Sequence, residues 1–246
     1  ILKILDSFSA ARDAKRVSPE TKIIGRAFLA QQPMDGDPVQ RAREWWDRTK
    51  SLILQYPEID YWEGYNEPVI QTHELMRWYA AHEKERVRIL AENGRKACIA
   101  NFSVGNPDLP LWPSFYDAID AAIAKGGILG LHEYGTPMQQ LFDETAGEGW
   151  LTGRYRKLYR QFLIPGNKVI PLAITETGVD VVAPAGWKNH FTEEEYLEQL
   201  KWYDGLLRQD DYVLGATIFA LEIPGWFSFD IAPIVDRLAA YVAASR

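Results

Sequence analysis

Tyr61-Trp62-Glu63-Gly64-Tyr65-Asn66-Glu67-Pro68 is the stretch on which the fold turns, because it reads as a short strand ending in a polar turn. Aromatic residues suit a pleated, half-buried surface, and the proline stops the run by lacking an N–H and restricting the residue before it. Working outward, the same form recurs in Leu131-His132-Glu133-Tyr134-Gly135 and in Ile174-Thr175-Glu176-Thr177-Gly178. Each sets a carboxylate at the end of an apolar run. In all, seven strand-like runs can be marked: Leu2–Asp6, Lys22–Phe28, Tyr61–Asn66, Ala97–Phe102, Ile128–Tyr134, Leu172–Thr175 and Val213–Leu221.

Longer amphipathic segments with helix punctuation separate these runs. Thr192 with Glu195 three residues later is a capping box that opens Glu193–Leu207. Asn93-Gly94 and Gly126-Gly127 supply residues that accept the left-handed conformation where two other segments end. Strand and helix in alternation predict a parallel sheet with crossover helices, and no linker or second composition zone interrupts the series. The expectation is α/β, one domain over residues 1–246, with a (β/α)8 barrel-like arrangement preferred to a doubly wound open sheet.

Composition narrows the function. The 246 residues carry a formal net charge of −7, which offers no basic surface to neutralise a phosphate backbone and argues against nucleic acid as a partner. No run is apolar for long enough to span a membrane. No basic segment followed by an apolar core opens the chain, so the expected location is extracellular or cell-envelope with any export signal removed, cytoplasm remaining open. The single cysteine, Cys98, excludes an intrachain disulfide and is expected to be a small buried hydrophobe. Nine tryptophans would suit sugar-stacking surfaces, although Trp more often serves packing.

In a (β/α) barrel, functional residues lie at the carboxyl ends of strands. Glycosidic bond cleavage needs two carboxyl groups flanking the anomeric carbon, one to protonate the leaving oxygen and one to attack or to activate water. Glu67 and Glu176 supply such a pair three strands apart, a spacing that a closed barrel brings face to face across its mouth. Taken singly, each glutamate could equally cap the helix that follows its strand.

Trp62-Glu63-Gly64-Tyr65-Asn66-Glu67-Pro68 resembles the Trp-Glu-x-x-Asn-Glu-Pro signature of clan A retaining glycoside hydrolases, the four-seven superfamily, in its xylosidase, iduronidase and exopolysaccharide-hydrolase branches. That resemblance implies a retaining double displacement on an oligo- or polysaccharide, with Glu67 as acid/base and Asn66 on the sugar's 2-hydroxyl. Ile174-Thr175-Glu176 is similar to the clan's seventh strand ending and makes Glu176 the nucleophile. His132-x-Tyr134 is similar to the His-x-Tyr of strand six, where the Tyr hydrogen-bonds the nucleophile. Alternation puts His132 and Tyr134 on one face and Glu133 on the other, leaving His132 as a sugar contact or a satisfied core histidine. Trp226 sits roughly where the clan floors the subsite of the cleaved sugar.

Glu63 shares the face of Glu67 and needs a counter-charge, for which Arg26, ending its own strand and also a candidate sugar contact, is the expected partner. Trp112, Trp150 and Trp187 fall in carboxyl-side loops and could stack sugars or pack. If Glu67 ends strand four, three strands should precede its own, yet only two do. The expected barrel therefore lacks its first strand-helix unit. The rival functions are a non-catalytic carbohydrate-binding protein on a degenerate barrel and a metal-dependent hydrolase. Only four histidines, His73, His82, His132 and His190, are available to the second, and no metal or cofactor is expected. Specificity is expected in Gln31–Asp37, Thr136–Gly149 and Val181–His190, and neither the sugar nor the oligomeric state is legible.

Overall fold

The computed structural model describes residues 1–5, 7–135, 149–180 and 185–245, so most of the loop Thr136–Gly149 and the start of Val181–His190 lie outside the described residues. Seven strands appear among them: β1 (Leu2–Leu5), β2 (Ile23–Arg26), β3 (Tyr61–Trp62), β4 (Cys98–Phe102), β5 (Ile128–Gly135), β6 (Leu172–Val179) and β7 (Val213–Ile218). The helices between and after them are α1 (Ala10–Val17), α2 (Pro38–Gln55), α3 (His73–Glu92), α4 (Tyr116–Ala124), α5 (Arg154–Leu158), α6 (Glu193–Leu207) and α7 (Val235–Ala244). The fold is α/β with strands paired in parallel throughout, as the alternation required. Among the described residues, no helix is long and apolar enough to cross a membrane.

The ladder divides into two sheets, β1-β2-β3 and β4-β5-β6-β7, joined by one parallel bridge between Trp62 and Ala97. The break falls at β3, which is shorter than the expected Tyr61–Asn66. Beyond Glu63, whose N–H still reaches the Gly25 carbonyl at 2.9 Å, the backbone leaves the ladder. Asn66 N–H donates to the Gln32 side chain, and Glu67 N–H donates to the Asn101 carbonyl at 3.0 Å. In contrast, β6 outruns its expected end at Thr175 and stays paired with β5 as far as Val179. β7 stops at Ile218 because the chain turns back: Ile231 N–H, not a strand neighbour, donates to the Ala220 carbonyl at 2.9 Å.

The capping box is formed as read, Thr192 accepting from Glu195 N–H while the Glu195 carboxylate accepts from Thr192 N–H, so α6 begins at Glu193. The main core lies between strands and helices, with Trp62, Tyr79, Phe102, Phe115 and Tyr159 each almost wholly buried. A smaller apolar cluster draws on both sheets, uniting Ile24 of β2 with Cys98, Ile128 and Ala173 of β4, β5 and β6. Cys98 is accordingly a buried, unpaired thiol.

A buried ion pair ties α3 to both sheets at their junction. Arg86 meets Glu83 in a two-pronged contact of 2.9 and 2.7 Å, and donates onward to the carbonyls of Trp62 at 2.9 Å and Cys98 at 2.7 Å. Burial would raise the Glu83 carboxyl, but the Arg86 charge and hydrogen bonds outweigh it and bring the group down to about 2. Gly64 makes the approach possible, since a β-carbon there would stand 2.7 Å from the Arg86 guanidinium. Arg86→Leu would take the guanidinium from Glu83 in the core and leave it with His82 Nδ1, 3.6 Å away. We expect it to lose about 3–5 kcal/mol of stability, measured as a lowered urea midpoint against the parent chain.

Candidate active site

Side chains from β1, β2, β5 and the turn after β3 meet around Glu176 of β6. β5 and β6 pair His132 with Glu176 only because the register slips between Leu131 and His132, leaving Thr175 as an extra residue in β6. Strict alternation from Ala173 would aim Thr175 along this face. The bulge aims Glu176 there instead. On β5, Tyr134 hydroxyl donates to Glu176 Oε2 at 2.9 Å, while His132 Nδ1 lies 2.7 Å from Glu67 Oε1 and 3.5 Å from Glu176 Oε2. Glu133 points the opposite way, accepting from Gly153 N–H, Tyr155 N–H and Tyr203 hydroxyl, so it anchors α5 and α6. Burial pushes its carboxyl up to about 7 against those three donors.

Two cations from the other sheet complete the Glu176 environment. Lys3 Nζ stands 2.9 Å and an Arg26 guanidinium nitrogen 2.8 Å from Glu176 Oε1. Lys3 also lies 3.0 Å from Glu63, whereas Arg26 is 3.9 Å from it, so the principal counter-charge of Glu63 is Lys3 rather than Arg26. Arg26 instead donates to the Asn66 side-chain oxygen. Burial would raise the Glu176 carboxyl; the charges of His132, Lys3 and Arg26 overcome this and hold it far below the ordinary carboxylate range.

Glu67 is more open, with about a third of its side chain exposed (36%), and its backbone is left-handed at φ 50°. A non-glycine residue there carries strain, and keeps that conformation only where its surroundings enforce it. Three contacts do so: the Asn101 carbonyl takes Glu67 N–H, Gln32 brackets Asn66 by bonding both its N–H and its carbonyl, and Arg26 holds the Asn66 amide. Asn101 is itself left-handed at φ 54° in an irregular part of β4. Its side chain lies over Gly130, where a β-carbon would come within 2.3 Å of it.

Every expected site residue except Trp226 thus joins one cluster of hydrogen bonds and charge contacts: Arg26, Asn66, Glu67, His132, Tyr134 and Glu176. Trp226 is half exposed and packs edge-on against Phe219 and Phe229, beside the exposed Phe227. Trp112 and Trp187 are buried, while Trp150 stays exposed under Lys157. His73 and His82 both lie on α3, away from this group, His82 wholly buried among aromatic rings. The residue missed in the sequence is Lys3. Its signal was there, a cation in the middle of the apolar run Leu2-Lys3-Ile4-Leu5.

Glu67, His132 and Glu176 each offer a ligand atom, all within 4.8 Å of one another, and could enclose a cation. Lys3 and Arg26 already bring two positive charges to Glu176, and their repulsion disfavours a divalent ion there. The same arrangement separates a buried, ionised carboxylate from a partly exposed one bonded to an imidazole. Those are the environments of a nucleophile and a proton carrier.

No family model matches the chain, and no curated protein matches it. Solved structures do share its fold. A glycoside hydrolase family 86 protein, BuGH86, in complex with neoagarooctaose aligns with TM-score 0.56 and 13% identity over 87% of this chain and 40% of that one. The wild-type protein ZgEngAGH5_4 aligns with TM-score 0.55 and 14% identity over 89% of this chain and 70% of that one. The β-glucuronidase from Ruminococcus gnavus in complex with D-glucuronic acid aligns with TM-score 0.50 and 16% identity over 93% and 39%. The chain spans about two fifths of the length of the first and third of these.

The depressed Glu176 carboxyl sets a pH dependence. Its charge contributes stability that is fully present above the unfolded carboxylate value of about 4.3 and is lost as pH falls toward the lower folded value. Glu176→Gln lacks this contribution. The stability gap between parent and variant, followed by chemical denaturation, should narrow steadily as the pH falls below that value.

Proposed function

We propose that the chain is the catalytic part of a retaining glycoside hydrolase acting on an oligo- or polysaccharide, with its strands arranged as a (β/α) barrel. The observation that carries the reading is the carboxylate pair: an oxygen of Glu67, in the turn after β3, and one of Glu176, within β6, lie within 4.8 Å although their strands are three places apart. Retaining enzymes hold their carboxyl groups about 5–5.5 Å apart, whereas inverting ones need about 6.5–9.5 Å to admit a water. Barrel closure is supported by the bridge between Trp62 and Ala97 at one junction of the sheets. At the other, the Ile1 side chain lies within 3.7 Å of where a β-carbon on Gly215 of β7 would stand.

In this reading Glu176 attacks the anomeric carbon while Glu67 gives its proton to the departing glycosidic oxygen. A covalent glycosyl-enzyme forms as the bond to the leaving sugar breaks. Glu67, now ionised, takes a proton from water, whose oxygen displaces Glu176 and restores the free carboxylate. Lys3, Arg26 and Tyr134 keep Glu176 ionised before attack. His132 orients Glu67, Asn66 contacts the sugar, and the half-exposed Trp226 stacks on a sugar face.

The two carboxylates act at different moments, so their variants should fail differently. Glu176→Gln should fall to background on every glycoside the parent cleaves. Glu67→Ala should lose about 10²–10⁴-fold on unactivated substrates, yet retain the first step on aryl glycosides with good leaving groups, with added azide restoring turnover as a glycosyl azide. Steady-state rates and product analysis over a panel of aryl glycosides and polysaccharides would distinguish these outcomes. Parent-like turnover in both variants would remove the assignment, and glycan binding by a parent that cleaves nothing would replace it with a binding protein.

A further inference from the structure

The two oxygens of Glu176 are held differently. Oε1 accepts from Lys3 at 2.9 Å and from Arg26 at 2.8 Å, which takes up both of its lone-pair directions. Among the described residues Oε2 accepts one hydrogen bond, from the Tyr134 hydroxyl at 2.9 Å. It lies 3.5 Å from His132 Nδ1, the atom that meets Glu67. A lone pair left open on the side of Glu67 makes Oε2 the attacking atom. Oε1 then becomes the carbonyl oxygen of the glycosyl ester.

That division gives the buried cations a task after the attack. Lys3, Arg26, Glu63 and Glu176 bring two positive and two negative charges together on side chains no more than 16% exposed, and in the free enzyme these balance. In the ester Glu176 is neutral, and the negative charge has passed to Glu67, which meets His132 rather than either cation. Lys3 and Arg26 are left with Glu63 alone. Their attraction is therefore full in the free enzyme, partial in each transition state and smallest in the ester. An interaction graded in this way slows the attack and speeds the departure of the carboxylate.

We propose that Lys3 makes Glu176 a good leaving group, so that hydrolysis of the glycosyl-enzyme outpaces its formation. In the favoured step a water oxygen bonds to the anomeric carbon and gives its proton to Glu67. The bond from that carbon to Oε2 breaks, and its electron pair returns to the carboxylate, shared with Oε1 between Lys3 and Arg26. The inference rests on the glycosidase reading and adds which step limits turnover. Lys3 is a cleaner probe than Arg26, which also holds the Asn66 side chain.

The test is rapid-mixing and steady-state kinetics on aryl glycosides whose phenols span a range of acidity. The parent should release phenol without a burst, and its kcat should rise with phenol acidity, because attack limits turnover. Lys3→Met alone would leave Glu63 facing an Arg26 nitrogen 3.9 Å away, so the variant to measure is Lys3→Met/Glu63→Gln, which removes opposite charges together. It should show a burst of about one phenol per site, lose about tenfold in kcat, the scale of a hydrogen bond to a charged group, and keep kcat/KM at or above the parent's. Its kcat should no longer follow phenol acidity, and intact-mass measurement should find the glycosyl adduct. Glu63→Gln, which retains Lys3, should give no burst. A merely structural loss would lower kcat/KM and produce no adduct. A burst in the parent would overturn the role of Lys3 whether or not any variant folds, as would a double variant without burst whose kcat still follows phenol acidity. Either result leaves the hydrolase standing, whereas a parent that cleaves no glycoside removes the hydrolase and the role of Lys3 with it.

Discussion

A buried carboxylate that must stay charged is the constraint on which the rest of the site depends. Glu176 is 8% exposed, and an isolated charge so placed would take up a proton rather than bear the loss of water. It stays ionised because Lys3 and Arg26, from the sheet that does not contain it, reach its Oε1, while Tyr134 donates to its other oxygen. The ion pairs are therefore also ties between the two sheets. Loss of either cation would weaken the junction and the charge state together.

Irregular backbone delivers the side chains to this charge cluster. Without the extra residue at Thr175, Glu176 would face the helices, and without the left-handed turn at Glu67 the second carboxylate would follow its chain away from His132. Each irregularity is held from outside. The Asn101 carbonyl, the Gln32 amide and the Arg26 guanidinium secure the Asn66–Glu67 turn, and the Glu83–Arg86 pair secures the strand that leads into it. Rigid elements thus confine strain to the residues that face one another, the usual place for it in a working site.

Much of this was legible in order along the chain. The alternation of short apolar runs with capped amphipathic segments led to a parallel α/β fold, and the capping box at Thr192 located the start of α6 to the residue. Period-two alternation separated His132 and Tyr134 from Glu133 correctly, because β5 is regular from His132 onward. The same rule misleads on β6, where a bulge leaves no mark in the sequence. It also ran too long on β3, since Gln32 and Asn101 take backbone hydrogen bonds that the ladder would otherwise have had.

Lys3 and Arg26 show where the division falls. Local sequence determined that strands, helices and carboxylates at strand ends would form, because period, capping and turn chemistry act between residues a few positions apart. It also marked Glu63 as a charge in need of a partner. Which cation would answer, and that the same cation would serve Glu176 on the opposite sheet, was decided only when β1 came within 3 Å of groups that lie 60 and 173 positions away. Coulomb energy depends on distance in space, and distance in space between strands of different sheets is set by tertiary packing alone.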